Sequence, residues 1–340
     1  MINQPYVRRL HAVLPSMTRS AEEIDEWIGE SPGYTRQTSG VATRHVAGEA
    51  ETVAVMGARA VSELVKLENL TFDDIDALVF ASASKDQFLP SSAALVAHQL
   101  GDEANGVPAF DIDSSCLSFL LAVDLMGRAM ASGMYERIVV VSSEKPSTSL
   151  HPKFKEAAGL FGDAAVACLL DTTTPPSPSD GGYGFSKVLH AKYETWAEGA
   201  HDTEVKIGTS YNPNTDYHDL NMDDCRFVMN GPRIYRLAAK TLPSFLDGFL
   251  ADLGMSSLDD FDFVVPHQAS KSAVELLARK MKVPAGKYAQ DYRRYGNTVA
   301  ASIPLSLLRA LEEGRIGPGD RVLLVGTAAG FTLGAMAIEI

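Results

Sequence analysis

A long-period internal repeat limits what this chain can fold into more than any other feature. The stretch Thr71-Phe-Asp-Asp-Ile-Asp-Ala-Leu-Val-Phe-Ala-Ser-Ala-Ser84 returns 186 positions later as Ser257-Leu-Asp-Asp-Phe-Asp-Phe-Val-Val-Pro-His-Gln-Ala-Ser270. Glu136-Arg-Ile-Val-Val-Val-Ser-Ser143 returns 184 positions later as Asp320-Arg-Val-Leu-Leu-Val-Gly-Thr327. Any two buried strands look somewhat alike, but two matches at nearly one offset point to a duplication. In each copy a charged residue feeds a short apolar, β-rich run, the signature of a strand buried on both faces. Between the matched strands each copy carries a turn and then apolar residues at helical spacing. These predict helices from about Cys116 to Gly133 and from about Ala300 to Gly314.

An offset of 184 sets Cys116 against Ala300 and Asp113 against Asn297. A thiol and an amide then lie on equivalent strand-to-helix turns, and a pseudo-twofold axis relating the copies brings those turns together. Alternating strands and helices imply a layered α/β architecture whose site is built by loops at the carboxyl ends of the strands. We expect an N-terminal half, residues 1–175, carrying the cysteine, and a C-terminal half, residues 176–340, carrying a histidine and the asparagine. The junction falls near the Pro- and Ser-rich segment 172–182, which fits neither a helix nor a central strand.

Composition narrows the class. With 46% hydrophobic residues among 340, the chain can bury a large core. A net charge of -13 argues against general nucleic-acid binding. Three irregularly spaced cysteines make no disulfide framework and suit a reducing compartment. The N-terminus has no apolar segment with a small-residue cleavage site, and no run reaches the roughly 18 apolar residues of a membrane span. A soluble, cytoplasmic protein is expected. No histidine pair has metal-ligand spacing, so no metal site is expected either.

Three stretches carry chemistry: Asp113-Ser-Ser-Cys116-Leu-Ser-Phe, Pro266-His267-Gln-Ala-Ser and Tyr295-Gly-Asn297-Thr-Val-Ala-Ala-Ser. At a helix N-terminus the Cys116 thiol would feel the positive end of the macrodipole, which favours thiolate and attack on a thioester. His267 follows a proline that should end the strand, and could shuttle a proton or, kept neutral, donate a hydrogen bond. Asn297 could donate to a developing oxyanion. Taken singly, each has a plainer reading: a buried thiol acting as a small hydrophobe, a histidine satisfied by backbone, a Gly-Asn turn. Cys168 reads as a core strand residue, and Cys225 has no evident partner. The run Gly326-Thr-Ala-Ala-Gly330-Phe-Thr-Leu-Gly334 lacks the spacing and lysine of a P-loop. Its small residues would instead let backbone amides approach the thiol.

These residues resemble the β-ketoacyl-acyl-carrier-protein synthase III family of thiolase-fold condensing enzymes. The resemblance also includes Glu51-Thr-Val-Ala-Val-Met-Gly57, Phe88-Leu-Pro-Ser-Ser-Ala-Ala94 and Phe161-Gly-Asp-Ala-Ala-Val-Ala167. It implies a five-layered αβαβα fold, a homodimer, and a catalytic triad of Cys116, His267 and Asn297. By the same resemblance the backbone amides of Cys116 and Ala329 hold an oxyanion, and Phe88 and Leu89 shape an acyl pocket. Asp25-Glu-Trp27-Ile resembles the segment whose tryptophan stacks on the coenzyme A adenine. Lys271, Arg279, Lys280 and Lys282 beside the His267 loop could meet an acidic acyl carrier protein or be a solvated helix face.

The expected reaction is decarboxylative condensation of an acyl-CoA starter with malonyl-carrier protein or malonyl-CoA through an acyl-Cys116 intermediate, with no further cofactor. Alternatives are head-to-head condensation of two acyl-CoA chains, acyl transfer without decarboxylation, or a non-catalytic dimer partner.

Overall fold

The computed structural model of the chain describes residues 5–173, 187–206 and 222–340. The segment expected to join the halves lies, from residue 174 on, outside the described residues. Among the described residues nine strands make the two larger sheets: β1 (Tyr6–Val13), β2 (Ala77–Phe80), β3 (Ala109–Asp111), β4 (Arg137–Glu144) and β5 (Ala164–Asp171), then β6 (Lys187–Thr195), β7 (Phe263–Pro266), β8 (Arg321–Ala328) and β9 (Thr332–Glu339). The first sheet has the order β1-β5-β4-β2-β3 and the second β6-β9-β8-β7. Both combine antiparallel and parallel pairings in the same sequence, with β4 beside β2 and β8 beside β7 parallel. Where β3 would recur in the second sheet there is a single parallel bridge between Val264 and Tyr288.

Alternation along the strands sorts side chains into layers. Ile138 and Val140 of β4 and Val322 and Leu324 of β8 face one shared core. That core also holds Phe119, Leu120 and Val123 of α3 (Ser118–Ala131) and Ile303, Leu307 and Leu308 of α6 (Ser302–Glu312). The two helices therefore form the middle layer. The opposite faces take Val139 and Val141 against α1 (Val53–Leu67) and α2 (Ser92–Leu100), and Leu323 and Val325 against α4 (Gly231–Leu253). The order is α, β, α, β, α, the five-layered fold expected of two pseudo-twofold-related halves.

The repeat extends to the backbone of the two central turns. Each middle helix is preceded by a 3-10 turn, Ser115–Leu117 and Val299–Ala301. Ser115 and Val299, 184 positions apart, both lie in the left-handed region, at φ 53° and 48°. Asp113 Oδ1 accepts from Ser115 N–H at 2.9 Å, and Asn297 Oδ1 accepts from Val299 N–H at 2.8 Å. The helices start at Ser118 and Ser302, two residues later than hydrophobic spacing predicts, because the tighter 3-10 turns occupy the residues just before them. For Val299, a β-branched residue, that conformation costs on the order of 1–3 kcal/mol and persists only where the surroundings enforce it.

Candidate active site

Three elements meet at one cavity of about 1100 Å³, lined by Cys116, His267 and Asn297 together with Thr327, Ala328 and Ala329. Much of its remaining wall is apolar, including Phe161, Phe227, Leu242, Leu277 and Leu333. A largely apolar cleft with a few convergent polar groups suits a ligand that combines a hydrocarbon chain with one reacting polar centre.

Cys116 sits in the turn before α3, and the nearby backbone amide of Ala329 favours the ionised sulfur. The residue is half-buried, yet the protein packed around the sulfur pushes the thiol up to about 12. Glu144 and Asp113 add to this electrostatically, against the opposing hydrogen bonds from the amides of Ala329 and Cys116 itself. The thiolate expected from the helix dipole is therefore not the resting form: desolvation of the charged species outweighs a dipole contribution of about 1 kcal/mol.

His267 is 5% exposed and closes β7. Pro266 is the last residue of the strand, as expected, although His267 N–H still donates to Val325 O at 2.8 Å. Val264 N–H points the other way, to Lys287 O, so the N–H that proline lacks would face the side where the sheet has only one bridge. Nδ1 lies 2.5 Å from Ser302 Oγ. With that hydroxyl assigned as donor, the proton of the neutral ring sits on Nε2, the tautomer that can donate to a ligand. Burial pushes His267 down to about 4, so the ring is neutral at physiological pH. Gly326 makes room for it: a Cβ there would lie 2.5 Å from His267 Cβ. The signals for these supports were a glycine inside a strand and a serine inside a helix start, neither of which names its partner.

Asn297 is 4% exposed, and its amide orientation is set by Val299 N–H on Oδ1. Nδ2 is left as the donor, with one weak partner, Ala269 O at 3.4 Å. A parallel bridge between Phe161 and Asn297 ties the turn to the first half, and the Gly162 N–H donates to Asn297 O at 3.1 Å. Only glycine fits at 162, where a Cβ would lie 2.1 Å from Tyr295 O. Two hydrogen-bond donors and a thiol thus share one chamber.

The chain resembles known proteins over its whole length. Residues 110–187 match the family model of 3-oxoacyl-[acyl-carrier-protein] synthase III and residues 250–340 its C-terminal model. The chain is 31% identical to the β-ketoacyl-[acyl-carrier-protein] synthase III of Bartonella tribocorum, over 98% of both chains. It belongs to the β-ketoacyl-[acyl-carrier-protein] synthase III family. A Streptomyces coelicolor member is 32% identical over 97% of this chain and 95% of its own. The crystal structure of the Pseudomonas aeruginosa synthase III superposes with a TM-score of 0.84 at 24% identity, covering 99% of this chain and 98% of that one. As a member of the synthase III family the protein is a condensing, acyl-transferring enzyme of the thiolase fold.

The other expected site residues of a synthase III fall in different places. Phe88 lines the cavity but is 60% exposed, and Leu89, 82% exposed, does not reach the cavity of its own chain. Trp27 is 45% exposed, lies under the Arg44 guanidinium at 5.9 Å and stands outside the cavity lining. Arg279, Lys280 and Lys282 are exposed, whereas the Lys271 stem packs over Gly40, and none of the four lines the cavity. Cys168 is buried in the core, and Cys225 lines the same cavity as Cys116. Among the described residues no His, Cys, Asp and Glu cluster could hold a metal, and no helix is long and apolar enough to cross a membrane.

Neutral His267 has a thermodynamic signature. An unfolded imidazole protonates near 6.5 and the folded one only near 4, so between these values the unfolded state binds more protons. Stability contributed by the neutral ring is present above pH 6.5 and is lost as pH falls towards 4. Wild type should lose melting temperature relative to His267→Gln across that window and run parallel to it above pH 7. Glu144, raised to about 7, has the opposite pH dependence but is common to both proteins and cancels in the difference. A difference that stays constant with pH would contradict a buried, neutral histidine.

Proposed function

We propose that the protein joins an acyl-CoA starter to malonyl-carrier protein or malonyl-CoA by decarboxylative condensation. The convergence of Cys116, His267 and Asn297 on one largely apolar cavity carries this reading. Cys116 sulfur attacks the acyl-CoA carbonyl, and the thiol proton leaves with coenzyme A. We assign the N–H groups of Cys116 and Ala329 to stabilising the tetrahedral oxyanion. Because the thiol is protonated at rest, deprotonation accompanies attack instead of preceding it.

Malonyl thioester then binds with its carbonyl oxygen between His267 Nε2–H and Asn297 Nδ2–H. Loss of carbon dioxide leaves an enolate on that oxygen, and neutral donors suit it because they need no proton transfer to act. The enolate carbon attacks acyl-Cys116, a carbon-carbon bond forms, and the Cys116 thiolate leaves and is reprotonated. The product is a 3-oxoacyl thioester.

The exposed Phe88 and Leu89 fit a role at a homodimer contact, with Leu89 reaching the acyl pocket of the second copy. Exposed Arg279, Lys280 and Lys282 give an otherwise acidic chain a cationic edge for an acidic carrier protein. The duplicated halves are assigned to residues 1–175 and 176–340.

Intact-protein mass spectrometry tests the reaction. Incubation with acyl-CoAs from two carbons upward should add one acyl mass to Cys116, and malonyl-carrier protein should remove it with formation of a 3-oxoacyl product. Acyl-enzyme that persists until another nucleophile is supplied would replace this reading with acyl transfer or head-to-head condensation. Absence of acylation by every donor would overturn it.

A further inference from the structure

Glu144 ends β4 in the first half and is fully buried, and among the described residues no cation pairs with it. Its carboxylate is held by backbone amides. Oε1 accepts from Ala83 N–H at 2.9 Å and from Ala300 N–H at 3.3 Å, and Oε2 accepts from Ser84 N–H at 2.9 Å. The adjacent Lys145 ammonium is engaged elsewhere, on Gly48 O and Glu51 O. Ala83 and Ser84 line the cavity from the first half, and Ala300 lies in the second-half turn that presents Asn297.

Internal symmetry makes this arrangement informative. Glu144 stands 184 positions before Ala328, and Cys116 stands 184 before Ala300. At the end of β8 the neighbouring Ala329 N–H reaches across to the Cys116 turn. At the end of β4 the Glu144 carboxylate reaches across to the Ala300 turn. The same place in each half thus holds the other half's turn, once with a donor and once with an acceptor. The turn that Glu144 holds is the one strained at Val299. Backbone amides converging on one buried carboxyl group are the kind of support such a turn requires.

We propose that Glu144 is the positioning residue that locks the Asn297 turn against the nucleophile's half of the molecule. This inference rests on the proposed function, because it assigns Glu144 to the malonyl half-reaction and not to acylation. Its negative charge also opposes formation of the Cys116 thiolate, as does that of Asp113, which is itself 3.3 Å from the Lys85 ammonium.

The test uses the full chain with Glu144→Gln and Glu144→Asp. Glutamine keeps the size but turns an NH₂ towards amide donors and removes the charge. Aspartate keeps the charge but falls short of spanning three amides. For Glu144→Gln, Cys116 acylation by acyl-CoA should stay within about threefold of wild type, while condensation with malonyl-carrier protein falls about tenfold or more. Alkylation of Cys116 by iodoacetamide should shift to lower pH. In Glu144→Asp condensation should also fall, with the alkylation profile left near that of wild type. If Glu144→Gln does not fold, Glu144→Asp still separates reach from charge. Equal loss of both half-reactions, or an alkylation shift with unchanged condensation, would overturn the inference. Failure of wild type itself to form acyl-Cys116 would overturn the proposed function and take this inference with it.

Discussion

Cys116→Ala is expected to eliminate acyl-enzyme formation and to lower condensation by about 10⁴-fold or more, the order seen when the nucleophile of a covalent mechanism is removed. The loss should be this large because no other thiol has the same setting. Cys168 is wholly buried, with its thiol pushed far up by burial alone, and Cys225 lines the cavity without the paired amides that meet Cys116. Alanine is small and apolar where Cys116 packs against Leu160, Phe161 and Val299, so the fold should survive. Malonyl decarboxylation without condensation should persist in this variant, since its two donors are untouched. Mass spectrometry for the acyl adduct, with release of carbon dioxide measured beside it, reads both. An acyl adduct that still forms would place the nucleophile elsewhere.

The second large effect belongs to His267→Ala and Asn297→Ala. Each removes one donor from the proposed enolate site, and loss of such a donor typically costs about 3–4 kcal/mol of transition-state stabilisation, or 10²–10³ in rate. Malonyl decarboxylation should fall by that factor and Cys116 acylation by much less. The double variant should lose less than the product of the two single losses, because the donors act on one oxygen. Asn297→Ala also removes the Oδ1 acceptor of Val299 N–H, so some of its loss will come from the turn and not from the donor. Asn297→Asp separates these by keeping the acceptor and discarding the donor. Equal loss of acylation and decarboxylation in the single variants would sink the division of roles.

Much of the architecture was legible because a duplication leaves a register in the sequence. The acidic turns before β2 and β7 are capped alike. Asp76 accepts from Glu136 and Arg137 N–H, while Asp262 accepts from Arg321 N–H, so the aspartates that aligned in sequence do the same work in space. Continuous apolar runs likewise predicted which strands are buried on both faces. Helix starts were missed by two residues because the 3-10 turns before them have no compositional signature; nor has positive φ at Ser115 and Val299, as neither is the glycine or asparagine that favours it. The resting state of Cys116 was misjudged for a related reason. Helix position can be read from order along the chain, but desolvation depends on what other segments pack around the sulfur.

By itself the sequence determined the duplicated α/β plan and pointed to three reactive residue types in the loops around it, because these follow from period, polarity and local turn chemistry. Only the tertiary structure decided how those residues are tuned. Ser302 meets His267 Nδ1, Ala329 brings an amide near Cys116, Gly326 admits the imidazole, and Glu144 ties the Asn297 turn to the opposite half. Each of these joins segments 35 to more than 200 positions apart. Hydrogen-bond direction and desolvation act over a few ångströms, so which residues share a site's electrostatics is settled only when the sheets have paired and the two halves have closed on each other.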